Sequence, residues 1–317
     1  MLLSFLRKLS KNFGFATAFG PLGRWSPRRG VLGAVIIGGL IVALSGCSAL
    51  RLGYGQGPTL GYWWLDRYFD FDDAQSSKVR EGLNELFRWH RATQLNDLTQ
   101  LMVRAQVQAL EPTTAAQVCR WFEDIQLRLN QAYDHALPAM ADVALTLRPA
   151  QLQYLEKRYQ RLNEEFKDDF LQDGADARLQ ASVKRTAERA EFLYGKLTDR
   201  QRALLARGLA ASPFDPQAWL AERQARQQDV LSNLRRWSTE QASPEVVRAG
   251  LKTLAERTQR SIRPAYRDYQ QRLLENNCAL SAELHNATTA AQRRKAVKTL
   301  KTWEDDLRAL MAEAPSR

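Results

Sequence analysis

Histidine and cysteine are scarce in this chain, with three of each in 317 residues. His90, His135 and His285 are too far apart for the His-Glu-x-x-His spacing of a zinc site. Two cysteines without a nearby pair of histidines cannot fill the four positions a structural zinc requires. There is no Gly-x-Ser-x-Gly elbow, no phosphate-cradling glycine loop and no dinucleotide fingerprint. Neither a metal nor a cofactor is expected. Alternating runs of Val, Ile and Thr are also missing, which argues against a sheet. The uncharged apolar stretch at residues 31–46 is shorter than the roughly 20 residues that cross a bilayer as a helix.

Acidic residues are absent from the first 46 positions, which hold Arg7, Lys8, Lys11, Arg24, Arg28 and Arg29. Six of the eleven net positive charges therefore sit in this leader. The remaining charges are mixed in sign along the chain. That pattern fits solvated helix faces and argues against a phosphate-tracking groove, so nucleic acid is not expected as a partner.

A basic segment followed by a short apolar run is the layout of a secretory signal. The run ends in Leu44-Ser45-Gly46-Cys47. This resembles the bacterial lipobox, in which small residues precede a cysteine that becomes the new N-terminus. The resemblance implies cleavage between Gly46 and Cys47 and diacylglycerol on the Cys47 thiol, so membrane lipid is a partner through that residue. The alternative is an uncleaved signal anchor. Ser48 follows the cysteine, and the sorting rule for such lipoproteins then implies the outer membrane, inner leaflet, facing the periplasm. The inner membrane is the lesser expectation. Glycines at 53, 55, 57 and 61 predict a flexible tether over 47–61.

From residue 62 to 317 a single all-α domain is expected: a bundle of seven to eight amphipathic helices, mostly antiparallel. Ala, Leu, Gln, Glu and Arg dominate, and all favour helix. Four segments have the capping-box spacing: Asp72–Gln75, Thr114–Gln117, Thr198–Gln201 and Thr289–Gln292. Pro149, Pro216 and Pro244 mark three further starts. Val79, Leu83, Leu86, His90, Gln94, Leu98, Leu101 and Ala105 advance by three or four and predict one long helix. A second stripe runs from Leu152 to Phe170 and a third from Leu251 to Leu273. Leu137-Pro138 and the stretch from Asn276 to Asn286 are expected breaks.

Cys119 and Cys278 form an even pair that an oxidising periplasm would join; two separate buried thiols are the alternative. His90 lies on an apolar helix face, where a hydrogen-bonded structural histidine is expected over a catalytic base. Glu164, Glu165, Asp168, Asp169 and Asp173 are interleaved with Lys157, Arg161 and Lys167, the pattern of an exposed ion-pair face. The aromatic cluster Tyr62, Trp63, Trp64, Tyr68, Phe69 and Phe71 is expected to dock on the core, with contact to lipid headgroups as the alternative.

The stretch Gly61-Tyr62-Trp63-Trp64-Leu65-Asp66-Arg67-Tyr68-Phe69-Asp70-Phe71, with Trp89-His90-Arg91 after it, resembles an uncharacterised family of proteobacterial lipoproteins. Gly195-Lys196-Leu197-Thr198-Asp199-Arg200-Gln201 and the Trp219 to Leu231 region are similar too. That family often has Glu-Leu-Pro after its Trp-His-Arg; the matching residues here are Gln94-Leu95-Asn96. The resemblance implies a helical lipoprotein and no activity. Leu197-Thr198-Asp199-Arg200-Gln201, with Leu147-Arg148-Pro149-Ala150-Gln151 as a degenerate copy, also resembles the helix starts of small periplasmic chaperones of the envelope-stress response. The first functional expectation is a non-enzymatic protein that binds an envelope protein or cell-wall component through helix faces. A holdase is the second, and a hydrolase with an unrecognised site is the third.

Overall fold

The computed structural model describes residues 49–313, which fall in one compact unit. Cys47 and the leader, with their expected cleavage and acylation, lie outside the described residues. The described residues form twelve helices and no strand. In chain order these are α1 (Ala49–Gly55), α2 (Gly57–Phe69), α3 (Asp73–Thr93), α4 (Leu95–Gln108), α5 (Ala115–Ala144) and α6 (Pro149–Phe170). They continue with α7 (Ala175–Tyr194), α8 (Asp199–Ala210), α9 (Pro216–Thr239), α10 (Pro244–Gln259), α11 (Pro264–Asn286) and α12 (Ala290–Ala312).

The all-α expectation holds, but twelve helices replace the seven or eight expected, and each difference has a local cause. The stretch expected as a tether is helical from Ala49. Its glycines serve close packing: a Cβ on Gly57 would come within 2.0 Å of the Phe87 ring, and one on Gly61 within 3.2 Å of Leu83. The long first stripe bends at Gln94, giving α3 and α4. Thr93 Oγ1 donates to the Trp89 carbonyl at 2.8 Å, a back-bond that loosens a helix, and Leu95 is drawn fully into the packing against Leu307 and Leu310. The Leu251–Leu273 stripe is also two helices. Pro264 opens α11 and forces Arg263 into an extended conformation, so Ile262 is left exposed. Conversely, α5 runs straight through Pro138, and α11 continues to Asn286.

All four expected capping boxes form, and all three expected prolines sit in first turns. Four of the N3 glutamines do more than cap. Gln75 Nε2 donates to Gln151 Oε1 at 3.1 Å, and Gln151 Nε2 returns a bond to Gln75 Oε1 at 2.7 Å. Each Oε1 also accepts the amide N–H of its own N-cap residue, Asp72 or Arg148. Each Nε2 also donates to a carbonyl five residues before its partner: Gln75 to Thr146, and Gln151 to Asp70. Gln201 and Gln292 repeat the arrangement, with mutual bonds of 2.7 and 2.9 Å and further bonds to the Ala287 and Lys196 carbonyls. Every donor of these four carboxamides has a partner, and each acceptor takes two bonds.

Each of the four glutamines opens the helix that follows a short turn: α2–α3, α5–α6, α7–α8 and α11–α12. The α2/α3 and α7/α8 helices pack as hairpins, whereas α5 with α6 and α11 with α12 do not pack along one another. The fold therefore interlocks these turns in two pairs, α2–α3 with α5–α6 and α7–α8 with α11–α12. Around the first pair packs a core of Leu147, Leu152, Leu155, Leu231, Trp237 and Val247. Around the second packs Ala187, Leu197, Leu204, Leu205, Leu280 and Leu284. The α12 helix then covers α4 through Ala296, Leu300, Leu307 and Leu310.

A buried carboxamide left without its mate costs about 1–3 kcal/mol. Gln201→Ala should therefore lower stability by about 2 kcal/mol in urea unfolding. The Gln201→Ala/Gln292→Ala double variant should lose clearly less than the sum of the two singles. Additive losses would count against a coupled pair.

Candidate functional site

Among the described residues helix α5 is the longest element and runs about 45 Å at 1.5 Å per residue. Two of its sides are packed. On one, Cys119 is disulfide-bonded to Cys278 of α11 with Cα atoms 5.4 Å apart, as expected for the pair. On the same side Asn130 pairs with Gln259, and Tyr133 Oη donates to the Leu251 carbonyl at 2.9 Å. Just before the helix, Thr113 exchanges two 2.8 Å bonds with Asn286. On the other side Arg128 meets Asp97 at 2.7 Å, and Trp121 Nε1 donates to Gln108 Oε1 at 2.6 Å. The α3 helix continues that side, with the Trp89 ring stacked on His135 at 4.3 Å.

A third side of α5 is open at its middle, while Val118, Ala132 and Ala136 on the same side are half-buried. Val118, Phe122, Ile125, Leu129, Ala132 and Ala136 advance by four and three alternately, and at 100° per residue they fall within an arc of about 80°. Phe122 is 44% exposed, Ile125 47% and Leu129 43%. Apolar side chains at this spacing normally seek another surface. The opposite side is polar at Arg120 and Gln131, both exposed, and it also carries Leu127.

The residues singled out from the sequence are not brought together. His90 Nδ1 lies 3.0 Å from Tyr54 Oη, in a bonded pair between α1 and α3, and Arg91 Nη1 donates to the Glu313 carbonyl. Burial holds the His90 imidazole below the ordinary histidine range. His285 sits elsewhere, at the end of α11. Its Nε2 faces the Glu111 carbonyl at 2.8 Å, so that nitrogen carries the proton, and Nδ1 accepts from Tyr194 Oη at 2.8 Å. Burial lowers its pKa first; the Glu111 bond opposes this, and Arg293 adds to it. Burial likewise pushes the Tyr194 hydroxyl up to about 12, which keeps it a donor. In the acidic run, Lys167 pairs with Glu164 at 2.8 Å on the exposed surface. No metal-binding group of three or more such side chains occurs among the described residues.

The aromatic cluster divides. Tyr62 is buried, bonds Ser76 at 2.8 Å and lies under Arg80, while Tyr68, Phe69 and Phe71 pack on the first core. Trp63 and Trp64 remain exposed. Sequence reasoning missed a buried carboxylate, Glu222, which holds the α10–α11 turn through Ser261 at 2.8 Å and Arg263 at 3.1 Å. It also missed an amide pair between Asn163 and Gln227 at 2.8 Å. Neither has a local signal, since the partners are distant in sequence.

Shallow clefts among the described residues include two near helix starts. One of about 210 Å³ lies between the end of α4 and the start of α5. The other, of about 370 Å³, lies between the end of α6, the turn at Gly174 and the start of α9. No described helix is long and apolar enough to cross a membrane.

An all-α chain whose interhelical turns interlock in pairs, joined by one long helix, is the class of protein these features define. The chain belongs to the DUF6279 family, a family of unknown function, which matches residues 67–267. No curated protein matches it, and no solved structure does.

The state of His285 has a measurable consequence. Its folded pKa is lowered, so below about pH 6.5 the unfolded chain takes up a proton that the folded chain refuses. Stability should fall as pH drops from there through the lowered folded value. Urea midpoints at pH 7.5 and 5.5 should differ more for the native chain than for His285→Gln. An equal difference would show that His285 does not contribute.

Proposed function

We propose that this protein is a lipid-anchored binding protein of the cell envelope, attached through Cys47 and facing the periplasm, that engages a partner protein along α5 and catalyses no reaction of its own. The observation that carries the reading is the uncovered apolar stripe of Phe122, Ile125 and Leu129 on a helix fixed on both flanks. Such a stripe suits an apolar or amphipathic segment of another chain, as in helix-in-groove recognition. The disulfide is in keeping with an oxidising compartment. Attachment rests on the lipobox resemblance at Leu44-Ser45-Gly46-Cys47, and two or three acyl chains there make anchoring effectively permanent. Outer-membrane placement rests on Ser48 alone.

A holdase would use the same stripe for many clients. It is favoured to the extent that the stripe carries no charge that would select one sequence. The two readings separate on a single gel.

A photo-crosslinking residue at Ile125 should capture a discrete partner band in cells, while one at Gln131, on the polar side of the same helix, should not. A smear of many partners at 125 would favour the holdase. Equal capture at both positions, or none at either, would sink the binding site. Separately, radiolabelled palmitate should appear on the native chain and vanish in Cys47→Ala; labelling that persists in the variant would refute the anchor.

A further inference from the structure

Five N3 glutamines cap helices in capping-box geometry or its half, and four of them are mated. Gln117 is the exception. Its Oε1 accepts the Thr114 amide at 2.8 Å, and the Thr113 and Thr114 hydroxyls also lie on it at 3.3 and 3.2 Å. Its Nε2 has no partner among the described residues, and the residue lines the cleft of about 210 Å³ at the start of α5. Gln117 is half-buried where its four counterparts are buried, so its two amide donors face solvent from a concave wall.

The rest of the wall has a consistent character. Trp121 donates its indole N–H to Gln108 at 2.6 Å, which fixes the ring, and no aromatic or guanidinium group stacks on it among the described residues. Arg120 and Glu123 have no partner among the described residues, and Arg104 pairs with Asp124 at 3.5 Å. Two arginines face two carboxylates, so the wall has no net formal charge. That balance argues against a simple anion or cation as the occupant. Donors and acceptors of both kinds, set beside an indole that is itself fixed, match a ligand with many hydroxyls and an apolar ring edge.

We propose that this cleft binds a neutral saccharide, one sugar ring of a longer glycan lying against Trp121 with its hydroxyls on Gln117, Arg120 and Glu123. The volume is below the roughly 300–1,000 Å³ of enclosed ligand pockets, which fits one ring of a chain that continues across the surface. The site lies off the apolar stripe, and it stands or falls independently of protein binding there.

The test is calorimetric titration of the full chain in detergent with chitotetraose, with maltotetraose and inorganic phosphate as parallel probes. Binding of either oligosaccharide is expected, weakened about tenfold or more in Trp121→Ala and in Arg120→Ala. Arg120 is exposed, so its variant should keep the native urea midpoint and separates lost binding from lost folding. Trp121→Phe should retain part of the affinity, because a flat apolar face remains. Binding of phosphate alone would overturn the proposal in favour of an anion site. Binding of neither sugar, or sugar binding indifferent to both variants, would overturn it outright.

Discussion

The reciprocal glutamine pair is the constraint from which the rest of the arrangement follows. A carboxamide has two donors and an acceptor with two lone pairs, and here one residue type at one helix position uses them all. Glutamate at the same place would bring a carboxylate against its mate's carbonyl oxygen and would remove both donors. Asparagine would be one methylene short of the N-cap amide. Because each Nε2 reaches the carbonyl five residues before its partner, it is satisfied only when the two interhelical turns are side by side. The pairs therefore fix which turns meet and in what register, and the apolar cores close around them.

The long helix joins these two points. Its start is tied by Thr113 to Asn286, the residue next to the Ala287 carbonyl that Gln201 uses. Its end leads directly to the Thr146 carbonyl that Gln75 uses. A helix that spans two cores cannot be covered by both along its whole length. Its middle is braced on two flanks, and the third flank is left bare. The exposed Phe122, Ile125 and Leu129 thus follow from the architecture, which is why their apolar character needs a reason other than packing within the chain. The brace at Cys119–Cys278 closes a long loop, worth about 5 kcal/mol in the chain-entropy account and often less.

The helix starts were legible in the sequence because a capping box is a local device: acceptor, two spacers, glutamine. The second use of the same glutamines was not legible, since mates lie 76 and 91 residues apart. The glycines near residue 57 misled for a related reason. Composition reads glycine as flexibility, whereas Gly57 is a contact surface for Phe87, a fact that exists only after α2 has folded onto α3. Pro138 and Pro264 carry the same sequence signal and opposite outcomes. The first is accommodated inside α5, and the second separates two helices. The disulfide was inferred correctly from arithmetic and compartment. The bare stripe could have been found from its alternating spacing, but without the fold nothing distinguished it from the buried stripes on α3 and α6.

The family match and the folding unit do not have the same limits. Residues 67–267 contain both members of the first glutamine pair and all of α5, but only Gln201 of the second pair. Beyond the match lie Gln292, Cys278 and the whole of α12. Cut at 267, the chain would leave the Gln201 carboxamide without its mate, Cys119 without its bond, and the face of α4 at Leu95, Leu98 and Met102 without cover. Each loss is a separate free-energy cost, and together they fall on the half of the molecule that holds the start of α5. The matched segment is therefore smaller than the unit that folds, and the cleft around Gln117 depends on helices that the match does not include.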